Sequence, residues 1–495
     1  MLLKSGWQRV WVGAALYGLG LIVLGSLEPA AAASPESCVT KLAEEVDAIA
    51  RQPHLRNARL GISLYQMRPE GPKLLYQKEG QQYFLPASTV KVLTTAVALT
   101  RLGPQYRFLT PVYTLGTGPT LKRLRIVGQG DPSLSDRQLE EVAAQLQRQG
   151  VRQIDQLVAE DPHPAEAALV PSWEWEDLQA GYGAIANGLI LNQNAYELKL
   201  WPQKQGQPLR VEWLSPQPIG PWRLLNRTQT VAADAPEFIA IKRRVKDSWL
   251  EIEVTGQLRQ DALPDRSAVA VIDPGWFLLH RWRAILAQYQ IKVAQVTLRS
   301  AEQDRSTAPE TVLTEQLLTQ IKSPPLIELI ATINQDSNNL YAEALLHRLA
   351  DGAETQPTSP VGEQGLRVLR QTLTQLGVDP NSYHLVDGSG LSRHNLVSPV
   401  ALGQTLAGML PTKYANLFQA SLPEKRLEGS PTSSLLSKTG SMTGVSTLTG
   451  YLQQPPFAPL ILTVMVNQYI QPQAQWRQSQ QALLISMNRL QSCLP

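Results

Sequence analysis

Three short motifs carry residue types suited to acyl transfer: Ser88-Thr89-Val90-Lys91, Ser337-Asn338-Asn339 and Lys438-Thr439-Gly440. A serine hydroxyl is a poor nucleophile at neutral pH and needs a base within reach. Residues three apart on a helix share a face, so a helix here brings Lys91 to Ser88. The helix start adds free backbone N–H groups and partial positive charge beside the hydroxyl. An amine among apolar neighbours and near a second cation loses proton affinity and can serve as the base. Ser337 is suited to pass a proton to a departing amine, and Asn339 to hydrogen-bond a substrate amide and the base lysine. Lys438 and Thr439 set a cation beside a hydroxyl, which suits a terminal carboxylate. Gly440 lets a substrate backbone come close to the strand. The N–H groups of Ser88 and Ser441 would form an oxyanion hole. Singly, each motif also reads as ordinary structure: a cap serine with a solvated lysine, a capping cluster after Asp336, an edge-strand lysine. All three in order favour chemistry.

The elements around them predict a mixed α+β fold. Cys38 to Ala50 has helical spacing, with Val39, Leu42, Val46 and Ile49 on one stripe. Strand patterns follow over Arg59–Tyr65 and Lys73–Gln77, and a helix opens at Leu85–Ser88 and runs to about Leu102. Leu326 to Ala350 reads as largely helical, with Ser337 near a helix start. Leu435–Gly440, Gly444–Leu452 and Leu460–Asn467 read as consecutive antiparallel strands, followed by a helix from Ala474 to Gln491. Between these ends, residues 106–307 change character. They hold strands at Leu124–Val127, Gln156–Ala159, Leu189–Leu200, Leu209–Leu214, Phe238–Ile241, Leu250–Val254 and Lys292–Val296. Helices fall at Ser135–Gln149 and Asp273–Tyr289.

At 495 residues the chain is too long for one core. Its formal charge of +3, from 45 Lys and Arg against 42 Asp and Glu, gives nucleic-acid binding no support. Lys4 and Arg9, the uncharged apolar run Val10–Leu27 and the small residues Ala30–Ala33 predict an export signal over residues 1–33, cut near Ala33–Ser34. The competing reading is an uncleaved anchor. Cys38 and Cys493 are the two cysteines, and in an oxidising compartment they are candidates for a disulfide; two free thiols are the alternative. No metal is expected: the six histidines (His54, His163, His280, His347, His384 and His394) form no H-E-x-x-H pattern. Gly128-x-Gly130 lacks the third glycine of a dinucleotide fingerprint, Ser133 standing there, so no cofactor is expected either. No G-x-S-x-G elbow occurs.

The trio resembles that of serine-acylating penicillin-binding proteins and β-lactamases. Ser88 and Ser337 lie 249 positions apart, and Ser337 and Lys438 lie 101 apart. With this spacing the chain resembles the D-alanyl-D-alanine carboxypeptidases of the class C low-molecular-mass penicillin-binding proteins (peptidase family S13, the DacB group). Gly130-Asp131-Pro132, Trp173-x-Trp175 and Asp387-Gly388-Ser389-Gly390-Leu391-Ser392-Arg393 are similar to that family as well. The resemblance implies a β-lactamase/transpeptidase-like domain over 34–105 and 308–495, with an antiparallel sheet flanked by helices. It implies two smaller β-rich inserted subdomains, one over 106–165 and 265–307, the other over 166–264. It further implies cleavage of the terminal D-Ala of peptidoglycan stem peptides, often with cleavage of D-alanyl cross-links, and covalent inhibition by β-lactams. Ser88 and Lys91 become nucleophile and base, with Ser337, Asn339, Lys438 and Thr439 completing the site. Arg393 becomes a candidate for contact with the substrate side chain, and Asp161 the nearest match to an acid facing its diamino acid. The periplasm of a Gram-negative-type cell is the expected location, with at most peripheral membrane contact and room for a homodimer. The rivals are a β-lactamase-like hydrolase, disfavoured by the long insert, and a non-catalytic wall-binding scaffold, disfavoured by the intact trio.

Overall fold

The strand Arg59–Arg68 pairs antiparallel with Leu460–Asn467, placing Ile62 opposite Val464 and Leu64 opposite Leu462. The first and last parts of the chain thus build one sheet. In this computed structural model, which describes residues 35–163, 168–218, 220–246, 249–300, 314–350, 360–427 and 430–494, the sheet has six strands. Their order is Glu424–Leu427, Ser430–Met442, Val445–Gln453, Leu460–Asn467, Arg59–Arg68 and Gly71–Lys78. Every neighbouring pair is antiparallel. Alternation along each strand gives the sheet two apolar faces. One buries Leu60, Ile62, Leu64, Leu462 and Val464 under the helices Pro35–Ala50 and Gln473–Gln491. The other carries Tyr65, Tyr451 and Ile461 under the helices Val90–Leu102, Leu326–Gln335 and Pro399–Met409. The export signal expected over residues 1–33 lies outside the described residues. Among the described residues, no helix is long and apolar enough to cross a membrane.

The long stretch between Ser88 and Ser337 forms further sheets. One has five strands in the order Lys292–Ser300, Gln153–Asp161, Thr120–Val127, Leu109–Leu115, Gln316–Lys322. The helices Asp136–Arg148 and Pro274–Gln288 pack on it, with Trp282 fully buried. Two three-stranded sheets follow, one of Trp222–Val231, Trp249–Arg259 and Phe238–Lys246, the other of Asp265–Ala270, Ala195–Trp201 and Arg210–Trp213. They share a core of Leu198, Leu200, Ile252, Val254 and Val269.

Pairing moves two limits expected from sequence. Residues 316–322 fall in the stretch 308–495 expected to belong with the six-stranded sheet; they form a strand that pairs instead with Leu109–Leu115, and Arg125 reaches both Glu315 and Glu160 to tie it there. Asp265–Ala270 was grouped with the five-stranded sheet; instead it pairs with Ala195–Trp201. The strand expected over Leu189–Leu200 begins only at Ala195, because Asn192, Gln193 and Asn194 all take left-handed backbone angles. The helix expected over Leu326–Ala350 is broken in two, Leu326–Gln335 and Asn339–Leu349.

Cys38 and Cys493 are bonded, with Cα atoms 6.4 Å apart, and they fasten the two helices of one face together. Changing both to serine is expected to lower unfolding stability by roughly 2–4 kcal/mol. Thiol titration of the denatured, unreduced protein should find no free thiol; free thiols, or an unshifted denaturant midpoint, would count against a stabilising bond.

Candidate active site

The segment before Ser88 is held at both ends. Asn467, at the end of a core strand, accepts from the Leu85 N–H at 2.6 Å and donates to the Leu85 carbonyl at 3.2 Å. Ser88 itself lies in a single 3-10 turn, Ala87–Thr89, just ahead of the helix Val90–Leu102. Ala87 has a left-handed φ of 47°, an uncommon conformation for a residue with a Cβ. Thr447 donates to the Pro86 carbonyl at 2.7 Å, which fastens the turn to the sheet. Gly440 is required by this contact: a Cβ there would come within 2.8 Å of the Ser88 nitrogen and the Pro86 oxygen. Gly390, at φ 82°, meets the same turn from the other side, where a Cβ would lie 3.1 Å from Val90 Cβ.

Lys91 is fully buried, one turn from Ser88. Its Nζ stands 2.9 Å from Ser88 Oγ, 2.6 Å from Asn339 Oδ1 and 2.7 Å from the Ser389 carbonyl. Those three acceptors match the three N–H donors of an ammonium group. Burial, reinforced by the nearby Lys438 charge, lowers its proton affinity to a pKa of about 7, while Asp387 and Glu343 pull the other way.

Ser337 occupies the break between the two helices, with a left-handed φ of 57°. The capping residue is Asn338, whose Oδ1 accepts from the Tyr341 N–H at 3.0 Å, so Ser337 and Asn339 are free of that role. Lys438 Nζ lies 2.9 Å from Ser337 Oγ and 2.8 Å from the Thr439 carbonyl. Burial brings Lys438 down to about 8. On the Ser430–Met442 strand, Ser437 gives its N–H outward to the Pro423 carbonyl at 2.9 Å. Amides two and four residues on point the same way, so the N–H groups of Thr439 and Ser441 face the edge where Ser88 sits.

The sequence reading missed a second layer. Glu343, one turn beyond Asn339, is buried and accepts from the N–H groups of Gly388 and Ser389, at 3.1 Å and 2.8 Å. Burial and the neighbouring Asp387 push its carboxyl well above the usual carboxylate range. Asp387 accepts from the Gly390 and Ser392 N–H groups, from Asn395 Nδ2, and from Trp173 Nε1 at 3.0 Å. The Asp387–Gly390 turn is thereby shaped so that the Ser389 carbonyl faces Lys91. The spacing of Asn339 and Glu343, four apart on one helix face, was the available signal for Glu343.

A cavity of about 580 Å³ opens over Ser88, lined by Ser337, Asn339, Thr439, Ser441 and Arg393 among others. Arg393 donates to the Thr443 carbonyl at 3.2 Å and pairs with Glu174 at 3.1 Å. Asp161 does not line this cavity. It is buried, with Oδ1 accepting from the Gly188 and His163 N–H groups and Oδ2 from Asn187, so its carboxylate holds a loop. The acids that do line the cavity are Glu174, Glu176 and Asp177, in the acid-rich loop that also carries Trp173 and Trp175. Burial raises the Asp177 carboxyl, which accepts from the Tyr182 hydroxyl at 3.1 Å. The Tyr182 carbonyl accepts from Asn339 Nδ2 at 2.8 Å.

Residues 42–488 match the model of the D-Ala-D-Ala carboxypeptidase 3 (S13) family. A D-alanyl-D-alanine carboxypeptidase of Actinomadura sp. is 31% identical over 464 residues, covering 88% of this chain and 83% of that protein. The D-alanyl-D-alanine carboxypeptidase DacB of Haemophilus influenzae is 23% identical over 413 residues, covering 80% and 83% respectively. The crystal structure of penicillin binding protein 4 (dacB) from H. influenzae shares the fold, with a TM-score of 0.71 at 21% identity, covering 91% of this chain and 98% of that one. A second structure of that protein is complexed with a β-lactam. The chain belongs to the D-Ala-D-Ala carboxypeptidase 3 (S13) family.

Proposed function

We propose that this protein is a serine D-Ala-D-Ala carboxypeptidase and D,D-endopeptidase acting on peptidoglycan stem peptides, blocked covalently by penicillin. The observation that carries the reading is the 2.9 Å contact between Lys91 Nζ and Ser88 Oγ inside a buried cluster. Neutral Lys91 takes the Ser88 proton as Oγ attacks the carbonyl of the penultimate D-Ala. The oxyanion forms between the N–H groups of Ser88 and Ser441. Ser337 passes a proton to the departing amine, and Lys438 with Thr439 holds the carboxylate of the departing residue. Water then hydrolyses the acyl ester on Ser88.

The acidic wall of Glu174, Glu176 and Asp177 beside Arg393 supports recognition of a stem side chain bearing both an amine and a carboxylate. This role moves from Asp161 to that wall. The five-stranded sheet with its helices and the paired three-stranded sheets are read as two subdomains inserted into a transpeptidase-like domain, with limits shifted to include Gln316–Lys322 in the first and Asp265–Ala270 in the second. The substrate lies outside the cytoplasm, so residues 1–33 act as an export signal and the enzyme works in the periplasm.

Intact-mass spectrometry after exposure to benzylpenicillin should show one adduct of the intact antibiotic mass, absent from Ser88→Ala; an adduct surviving that change sinks the mechanism. Because the base must be neutral, acylation should fall as pH drops through about 7. Because Lys438 must be charged to hold a carboxylate, KM for a stem pentapeptide should rise above pH of about 8. A flat rate–pH profile between 5 and 9 would refute these assignments, to within about a pH unit. Asp177→Asn and Glu174→Gln should each raise KM about two- to fivefold for a pentapeptide with a free side-chain amine. The same peptide N-acetylated on that amine should be unaffected, and equal effects on both peptides would remove the wall from substrate recognition.

A further inference from the structure

On the far side of Ser337 from Ser88 lies a second cavity, of about 550 Å³. Ser337, Asn339 and Tyr182 line both cavities, so the two adjoin across the serine that faces the leaving amine. Its outer wall belongs to the insert, chiefly the strands Ala195–Trp201, Phe238–Lys246 and Asp265–Ala270, through Glu197, Ile241 and Arg266. A smaller cavity of about 280 Å³ continues outward, sharing Gln193, Glu197 and Leu214 with it. The resulting track starts at the catalytic centre and is far larger than a single departing D-Ala requires. Volumes of this size suit a ligand of several residues.

Direction follows from the chemistry assigned above, on which this inference rests. The acyl side of the substrate fills the cavity of Arg393 and Thr443. The leaving side begins where Ser337 meets the amine and Lys438 the carboxylate, 2.9 Å apart. A leaving residue that carries a long side chain reaches the second cavity by projecting it past Ser337. We infer that the second cavity binds the leaving stem peptide of a D,D-cross-linked dimer, with Arg266 set to meet one of that peptide's carboxylates. Arg266 is the one cation lining this cavity among the described residues. It lies diagonally across from Glu197, since Ala268 pairs with Glu197 and Arg266 is two residues away on the same face. Ile239 and Ile241, on the Phe238–Lys246 strand, add apolar surface to this wall that suits the aliphatic part of a diamino acid side chain.

The test compares two substrates on the full-length mature enzyme: a stem pentapeptide, which releases only D-Ala, and a purified D,D-cross-linked muropeptide dimer. Arg266→Glu and Leu214→Trp, the first reversing the charge and the second narrowing the track, should each lower kcat/KM for the dimer about fivefold or more. Both should leave pentapeptide hydrolysis and benzylpenicillin acylation within about twofold of wild type, and Arg266→Lys should retain most dimer cleavage. Equal losses on both substrates, or no loss on the dimer in either variant, overturn the assignment. So does a wild-type enzyme that hydrolyses the pentapeptide and refuses the dimer, an outcome that leaves the carboxypeptidase reading standing. A wild-type enzyme that accepts neither substrate nor benzylpenicillin removes both.

Discussion

One nitrogen, Lys91 Nζ, constrains the rest of this structure. An amine buried to this extent is tolerated only if its N–H groups find acceptors. Here the acceptors come from three separated stretches: Ser88 on its own helix turn, Asn339 on another helix, and the Ser389 carbonyl in a tight turn. Each must be delivered by packing, since 248 and 298 residues separate Lys91 from the latter two. The six-stranded sheet and the helices on it exist, functionally, to make that convergence rigid. Burial, reinforced by the charge of the second lysine, Lys438, lowers the proton affinity of Lys91, and the buried acids Asp387 and Glu343 oppose that shift. Two buried like charges reduce fold stability, and the arrangement is the kind a fold retains only where reactivity needs it.

Shape enforces what charge sets up. Ser88 sits where a loop, a strand and a turn come together, and two of the three contacts admit no side chain. Gly440 allows the strand to reach the Ser88 nitrogen, and Gly390 allows the Asp387–Gly390 turn to reach the Ala87 carbonyl. The first puts the Ser441 amide beside that of Ser88. The second carries the Ser389 carbonyl to Lys91. A methyl group at either point would separate the parts of the site without touching any group that takes part in the chemistry.

The convergence of the three motifs was legible in the sequence because their residues are tied by local periodicity. Ser88 and Lys91 share a helix face, Lys438 to Ser441 alternate along a strand, and the flanking strands have strong apolar patterns. The break at Ser337 was not legible: Leu326 to Ala350 has continuous helical spacing, and only tertiary contacts impose the left-handed residue. The strands Gln316–Lys322 and Asp265–Ala270 were misplaced for a related reason. Pairing partners are set by long-range register, and no periodicity records which sheet a short strand will join. Asp161 matches the expected acid only by position in the chain, and its carboxylate is occupied by the His163 and Gly188 N–H groups and by the Asn187 amide. Glu174 and Asp177 lay only a few residues from tryptophans already noted, but a loop has no period that would have aimed them at the site.

Three hydrogen bonds between residues 106–307 and the rest of the site reach groups around Lys91. Trp173 donates to Asp387, which shapes the Ser389 turn. Asn338 donates to Gln193 at 2.7 Å, which fixes the start of the Asn339 helix. Asn339 donates to the Tyr182 carbonyl at 2.8 Å. Asn339 Nδ2 carries two N–H donors, so a second remains for a ligand, and the segment carrying Tyr182 is held by Arg243, which donates to the Leu178 carbonyl at 2.8 Å. Tyr182 lines both cavities, so the bond from Asn339 joins the wall they share to the residue that accepts from Lys91.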